Sequence, residues 1–319
     1  MLTMKLGFYG EYSEETVRFA AEVGFKCMEL SAWPDSSLNA DTITDKRLAE
    51  IQKDLEKHDI EVSTLGFYPN YLDPNKEESE KAQRYFLNVL KLAERMNVPV
   101  VSTFAGRDPY KSVVDNIPAF KEVFSRFCEE AEKRNIRIAI ENCPMVENYK
   151  LQHSLNIAHS PEVWEVMFQE VPSDNLGLEI DPAHMVWQGI DYVQAIREFG
   201  HKIFHVHAKD VEILHHVKAR TGQYGTLFTK ADGLGHGWWR GRTPGWGDVN
   251  WQKLISALIE VNYKGNIDIE HEDDVFVKNI EIAEIKEESD IVKQYAKDKS
   301  ALILGYRHLS RLIPSAAIK

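Results

Sequence analysis

The sequence predicts an α/β fold, a closed barrel of eight parallel strands joined by crossover helices, on three observations. Short β-rich runs alternate with amphipathic segments eight times along 319 residues, the pattern of parallel strands with helices outside. The turns leading from helix to strand share one form in AEVGFKCMEL, EKHDIEVSTL, ERMNVPVVST, EKRNIRIAIE and IEVNYKGNIDIE: polar residues, a turn at Gly or Asn, then a β-rich run. No Gly-rich phosphate loop follows any strand, which disfavours an open doubly wound sheet. The expectation is one (β/α)8 TIM-barrel domain over residues 1–319, with a long loop after the seventh strand and an extra C-terminal helix.

The strands are expected at Lys5–Phe8, Cys27–Leu30, Glu61–Leu65, Val100–Thr103, Arg137–Glu141, Leu176–Asp181, Ile203–His207 and Ile267–Glu270. Helical spacing is clear between them. Phe86, Val89, Leu90 and Ala93 form one apolar stripe, and Phe120, Val123, Phe124 and Phe127 another. Two stretches break the rhythm. Residues Val211 to Asp248 separate the seventh strand from its helix and carry GLGHGWWRGRTPGWGD, while the tail leaves room for a helix around Ser300–Ile313. A loop of that length inside a compact domain points to function.

Composition excludes some classes. The formal net charge is −12, which opposes binding to nucleic acid or anionic membranes, since both need clustered cations. Cys27, Cys128 and Cys143 form no C-x-x-C pair, so neither a disulfide framework nor a thiolate zinc site is expected. The N-terminus turns acidic before any long apolar run, and a cytoplasmic protein is expected.

In such a barrel the chemistry sits where the strands end. Four successive strands end IAIE, LEID, FHVH and IDIE, so that Glu141, Asp181, His207 and Glu270 converge. Alternation supports this: Ile138, Ile140, Ile180, Val206 and Ile269 face the helices, and the four polar residues face the axis. Three inward carboxylates with an imidazole are far less costly to bury around a cation than alone. One layer below, Glu179, His205 and Asp268 also point inward, expected either as support for the ligands or as an ion-pair network with Arg137. His205 reads as a satisfied core histidine, and His215, His216 and His236 as solvated loop residues. Lys209 and Asp210 read equally as substrate contacts or as a rim ion pair.

The runs IAIEN, LEIDPAH, HVHAKD, GWGDVNW and YKGNIDIEHE resemble the xylose-isomerase-like barrels, which include D-tagatose and D-psicose 3-epimerases, with endonuclease IV more distant. The resemblance spans roughly residues 4–274. It implies that Glu141, Asp181, His207 and Glu270 hold one divalent metal, that Glu141 and Glu270 act as the acid–base pair, and that His184 and Glu147 contact substrate. The epimerases' Arg six residues beyond the ligand His is Ile213 here; Arg240 or Arg242 is the expected substitute. Trp238 and Trp239 are expected to wall the substrate pocket, with Lys209 beside it.

The oxygen-rich ligand set suits Mn²⁺ first, with Mg²⁺, Co²⁺ or Zn²⁺ as alternatives. The expected activity is that of a sugar isomerase or epimerase of carbohydrate metabolism, acting by proton abstraction next to the carbonyl of a keto-sugar or derivative. A lyase cleaving 3-oxo-glycosides is the alternative, and the long loop leaves room for its aglycone. An endonuclease IV-like phosphodiesterase is disfavoured, because strands three and four end LGFYP and TFAG without a histidine. The expected partner is a small sugar or glycoside; a homo-oligomer or an accessory subunit is compatible with the sequence.

Overall fold

The computed structural model describes residues 4–146, 154–226, 228, 237–273, 275–276 and 299–314. Strands β1 (Leu6–Gly10), β2 (Cys27–Ser31), β3 (Glu61–Gly66), β4 (Val100–Thr103), β5 (Arg137–Glu141), β6 (Leu176–Ile180), β7 (Ile203–His207) and β10 (Ile267–Ile269) close a parallel barrel in the order β1-β10-β7-β6-β5-β4-β3-β2. A separate two-stranded sheet pairs β8 (Asp210–Ile213) with β9 (Trp239–Arg242).

Helices α1 (Glu14–Val23), α2 (Asp45–Lys57), α3 (Lys76–Met96), α4 (Val113–Glu132), α5 (Pro161–Glu170), α7 (Tyr192–Phe199) and α9 (Trp251–Glu260) are the crossovers. Their starts follow local chemistry. Ser13, Thr44, Asn75, Ser112, Asp191 and Asn250 each accept a hydrogen bond from a first-turn backbone N–H, satisfying donors the helix leaves free. Past their ends, Gly24, Asp59, Asn97, Asn135 and Asn262 take left-handed φ between 54° and 109°. These are the turns the repeated motif marks, with Asp doing in one turn what Gly or Asn does in the others. The stripes on α3 and α4 are buried as expected. Each fully buried Phe there contributes roughly 1.5–3 kcal/mol.

Register places the inner layers. Glu141 pairs with Glu179, Glu179 with His205, and His207 with Asp268. Glu179, His205 and Asp268 meet beneath the mouth, with His205 Nε2 at 3.7 Å from Glu179 Oε1 and 3.0 Å from Asp268 Oδ2. Gly7 pairs with Asp268 on the far side, and a Cβ on Gly7 would stand 2.0 Å from Asp268 Oδ1. The barrel wall is bare there because the carboxylate and the Cys27 carbonyl, 2.3 Å from that Cβ, occupy the space.

The region after β7 differs from a plain loop. β8 and β9 form an antiparallel pair, Asp210 opposite Arg242 and Glu212 opposite Arg240, with α8 (His215–Thr221) between them. Asp210 anchors it: its buried carboxylate accepts from the backbone N–H of Val211, Gly245 and Val249 and from Trp251 Nε1, at 2.8–3.0 Å. Gly233 to His236 of this connection lie outside the described residues. A short helix α6 (Pro182–Gln188) follows β6 at the rim, with Asp181 as its N-cap. The tail folds into α10 (Lys299–Leu309), where the Tyr306 hydroxyl donates to Gly24 O at 3.1 Å. No helix among the described residues is long and apolar enough to cross a membrane.

Candidate metal centre

The mouth of the barrel gathers the four strand-end residues. Glu141 closes β5 and His207 closes β7, whereas Asp181 and Glu270 stand one residue beyond β6 and β10. One ligand atom from each lies within 4.8 Å of every other. Glu141 Oε1, Asp181 Oδ2, His207 Nδ1 and also His184 Nε2 are buried and have no hydrogen-bond partner. Their spacings are 3.7 Å for His207 Nδ1 to Glu141 Oε1, 3.3 Å for His207 Nδ1 to Glu270 Oε2, and 3.5 Å for His184 Nε2 to Asp181 Oδ2. Ligands roughly 2.1 Å from a shared ion stand about 3–4 Å apart. Orphaned polar atoms are rare in native interiors, and several aimed at one point fit an ion. The donor set is hard, three carboxylates with an imidazole.

Local hydrogen bonds hold this geometry. The Asn142 side chain donates to Asp181 O and accepts from Asp181 N, at 2.9 and 2.7 Å, tying the ends of β5 and β6. Asn156 Nδ2 donates to Glu141 O at 2.9 Å. Trp187 Nε1 donates to His184 Nδ1 at 3.3 Å, which leaves Nε2 facing the carboxylates.

Electrostatics separates the acids. Burial pushes the Asp181 and Glu141 carboxyls up, Asp181 strongly. Burial works the same way on Glu270, but Lys209 and His207 outweigh it and hold that carboxyl below its usual range. Lys209 Nζ lies 3.1 Å from Glu270 Oε2 and 2.6 Å from Glu272 Oε2. Lys209 thus pairs with an acid of the site itself. Burial drives the His184 imidazole strongly down, so it is neutral.

Below the mouth the polar belt is fuller than the strand ends imply. His207 Nε2 donates to Glu29 Oε2 at 2.7 Å. The Tyr68 hydroxyl bridges Glu29 and, at 2.8 Å, Glu179 Oε2, donating its one proton to one of them, while Ser102 Oγ donates to Glu179 Oε1 at 2.8 Å. His205 Nε2 sits 3.0 Å from Asp268 Oδ2, which also receives the Ser63 hydroxyl. Burial opposes charge on Glu29, yet His207 and His205 bring its pKa down to about 2; burial, reinforced by Glu29, pushes Glu179 up to about 8. Arg137 takes no part: it lies at the base of β5 with its guanidinium 4.7 Å from the centre of the Phe204 ring. Glu29 and Tyr68 were not found by reading strand ends. Glu29 is mid-strand, but its alternation with Cys27 and Ser31 in CMELS is the inward signal.

Other expected site residues lie elsewhere. Trp238 is fully buried in a small core with Trp187, Ala183 and Val211, its Nε1 donating to Gln223 O at 3.1 Å, so its ring offers no wall to a substrate. Trp239 stacks on Trp187, rings 5.2 Å apart and 8° from parallel. Arg240 is bound to Glu212 at 2.8 Å, and Arg242 to Glu212 and to Asp273 at 3.3 Å. Both cations staple the hairpin through Glu212. His215 and His216 are exposed on α8. Glu147 and His236 lie outside the described residues.

A closed parallel barrel whose C-terminal mouth carries donors able to hold a metal ion defines the class. The chain belongs to the xylose isomerase-like TIM barrel family, whose model matches residues 17–295. The Bacillus subtilis (strain 168) protein YfiH, described as uncharacterized, is 26% identical over 284 residues, covering 82% of this chain and 88% of that protein. The inosose dehydratase of Clostridium perfringens (strain 13 / Type A) is 21% identical over 267 residues, covering 79% of this chain and 81% of that protein. A D-psicose 3-epimerase solved in the presence of D-fructose superimposes with a TM-score of 0.66 at 19% identity, covering 96% of this chain and 99% of that one. That likeness is one of fold.

Proposed function

We propose that this protein is a divalent-metal-dependent enzyme that removes a proton next to the carbonyl of a keto-sugar or derivative and returns it as an isomerase or epimerase. The observation that carries the reading is the convergence of buried, unpartnered Glu141 Oε1, Asp181 Oδ2 and His207 Nδ1 beside Glu270. These four residues would hold the ion, Mn²⁺ or Mg²⁺ by the hardness of the set. When bound, the ion stabilises negative charge developing on the carbonyl oxygen.

The chain supplies the proton chemistry. Glu141 and Glu270 stand on strands separated by two others in the barrel order, so they can address opposite faces of a substrate lying across the mouth. Their environments push their acidities apart, Glu141 up and Glu270 down. With an ion bound both would be carboxylates, and the pair would take a proton from one face of the substrate and return it on the other. Lys209 maintains the ionised form of Glu270, and neutral His184 is placed to hydrogen-bond a substrate hydroxyl. Arg240, Arg242 and Trp238 are given no substrate contact in this assignment.

Elimination of water or of a glycoside is the second reading. It starts with the same proton abstraction, and similarity to inosose dehydratase over four-fifths of both chains favours it. The test is to incubate the Mn²⁺-loaded protein with ketoses, 3-keto-glucosides and inososes in D2O and follow the products by NMR. Isomerisation or epimerisation puts deuterium on the carbon next to the carbonyl in a product of unchanged mass otherwise; elimination shows loss of water or of the aglycone. Absence of metal-dependent exchange with every substrate sinks both.

A further inference from the structure

The rim holds an arginine that, among the described residues, has no carboxylate within ion-pair distance. Arg107 follows β4 and is 8% exposed. Its guanidinium donates to two neutral acceptors, Ser154 Oγ and, at 3.0 Å, Lys111 O, and its Nε has no hydrogen-bond partner. No carboxylate among the described residues lies within ion-pair distance of it; neighbouring Asp108 pairs instead with Lys111 at 3.2 Å. A buried guanidinium is ordinarily paired, because removing its charge from water is unfavourable without a counter-ion.

Arg107 lines a cavity of about 340 Å³ together with Ser154, His159, Trp187, Gln188 and Gln223. Among the described residues no acid lines it. Burial, with Arg107 adding to it, pushes the His159 pKa down, so that imidazole is neutral and keeps a ring N–H. The cavity adjoins the candidate metal centre through one residue. Trp187 lines it and donates to His184, whose Nε2 lies 3.5 Å from Asp181 Oδ2.

We propose that this cavity is an anion subsite that takes the carboxylate or phosphate group of the substrate, with Arg107 as its principal contact. A planar guanidinium with free N–H groups matches both anions, which share paired oxygens. A cationic cavity in a chain of net charge −12 also marks one place where an anion is favoured over the rest of the surface. The reaction centre and the anion would then fix the two ends of one molecule. As a statement about the substrate this rests on the function proposed above; as a statement about anion binding it does not.

The experiment titrates the full-length, Mn²⁺-loaded protein with inorganic phosphate and, separately, with acetate, read by calorimetry and by tryptophan fluorescence, since Trp187 lines the cavity. One anion should bind with 1:1 stoichiometry, and Arg107→Gln should weaken it by about tenfold or more, the loss of one charge-assisted contact, while Mn²⁺ affinity is unchanged. Preference for phosphate identifies a phosphorylated substrate and preference for acetate a sugar acid; both support the subsite. Arg107→Lys, which keeps the charge but not the fork, should bind at an intermediate level and serves if the Gln variant does not fold. Failure of both anions to bind the wild-type protein, or equal binding by the Arg107 variants, overturns the proposal. Mn²⁺ binding without anion binding refutes this subsite alone, whereas anion binding without Mn²⁺ binding refutes only the metal reading.

Discussion

Glu29→Gln separates a metal centre with a built support from a set of acids that merely meet at a barrel mouth. Glu29 touches none of the unpartnered mouth atoms. It accepts the Nε2–H of His207 at 2.7 Å, so His207 Nδ1 is left facing Glu141 and Glu270. It also accepts the Tyr68 hydroxyl and lies 3.4 Å from His205 Nε2. Gln keeps the volume and one carbonyl acceptor but places an amide donor among three donors. Tyr68 and His205 can turn to Glu179 and Asp268, but the His207 imidazole loses the carboxylate that fixes its orientation.

The loss of a carboxylate partner to a ligating histidine typically weakens metal affinity ten- to a hundredfold, about 1.4–2.7 kcal/mol. A charge-assisted hydrogen bond contributes about the same, roughly 1.5–3 kcal/mol, so the two routes to the figure agree. Competition between the protein and a fluorescent chelator for Mn²⁺ measures it, with circular dichroism confirming the fold. The weakened affinity should appear even where thermal unfolding of the metal-free variant matches the wild type. Affinity within about twofold of the wild type would refute the argument that Glu29 orients His207.

The other expected outcomes follow from single contacts. Mn²⁺ at about a hundred times its Kd should stabilise the wild type by roughly 2.7 kcal/mol, read as a rise in the melting temperature, and Asp181→Asn should lose most of that rise. Asp210→Ala strands four donors and should lower unfolding free energy in urea by roughly 3 kcal/mol or more; an unchanged midpoint would show that β8 and β9 hold together without the Asp210 anchor. Gly7→Ala forces a methyl group within 2.0 Å of Asp268 Oδ1 and 2.3 Å of Cys27 O. Such overpacking destabilises by about 1–3 kcal/mol, and the thermal scan should show it without loss of the Glu141 or His207 side chains.

What could be read in the sequence depended on how local each signal was. The helix exits were legible because a left-handed turn needs Gly, Asn or Asp at one position, and Gly24, Asn97, Asn135 and Asn262 are those residues. The convergence of Glu141, Asp181, His207 and Glu270 was legible because strand alternation is a two-residue rule. The second small sheet was not. Its β9 strand, WRGR, has no β-branched residue, and it is held by Asp210 contacts reaching 41 residues along the chain. Arg240 and Arg242 looked free for the same reason, since their partner Glu212 is 28 and 30 residues away in sequence. Trp238 looked like a pocket wall because composition cannot tell an aromatic facing a cavity from one closing a core. Glu29 escaped because attention to strand ends passes over a charge in the middle of a strand.

The belt beneath the mouth also explains where the barrel is thin. An ordinary parallel barrel fills its axis with branched aliphatic side chains, yet here Glu29, Glu179, His205 and Asp268 are all fully or almost fully buried. Side chains of that size need room, and glycines on neighbouring strands provide it. A Cβ on Gly66 would stand 2.4 Å from Glu29 Oε1, as one on Gly7 would stand 2.0 Å from Asp268 Oδ1. Neither glycine sits at a positive φ, so backbone conformation does not require them; the acid opposite leaves no room for a Cβ, and at Gly7 the Cys27 carbonyl, 2.3 Å from it, adds to this. The small residue and the buried acid are therefore one feature written on two strands. An inward Glu or Asp in mid-strand, matched by a glycine at the adjoining level of the next strand, is the pattern that would have located Glu29 from β2 and β3 alone.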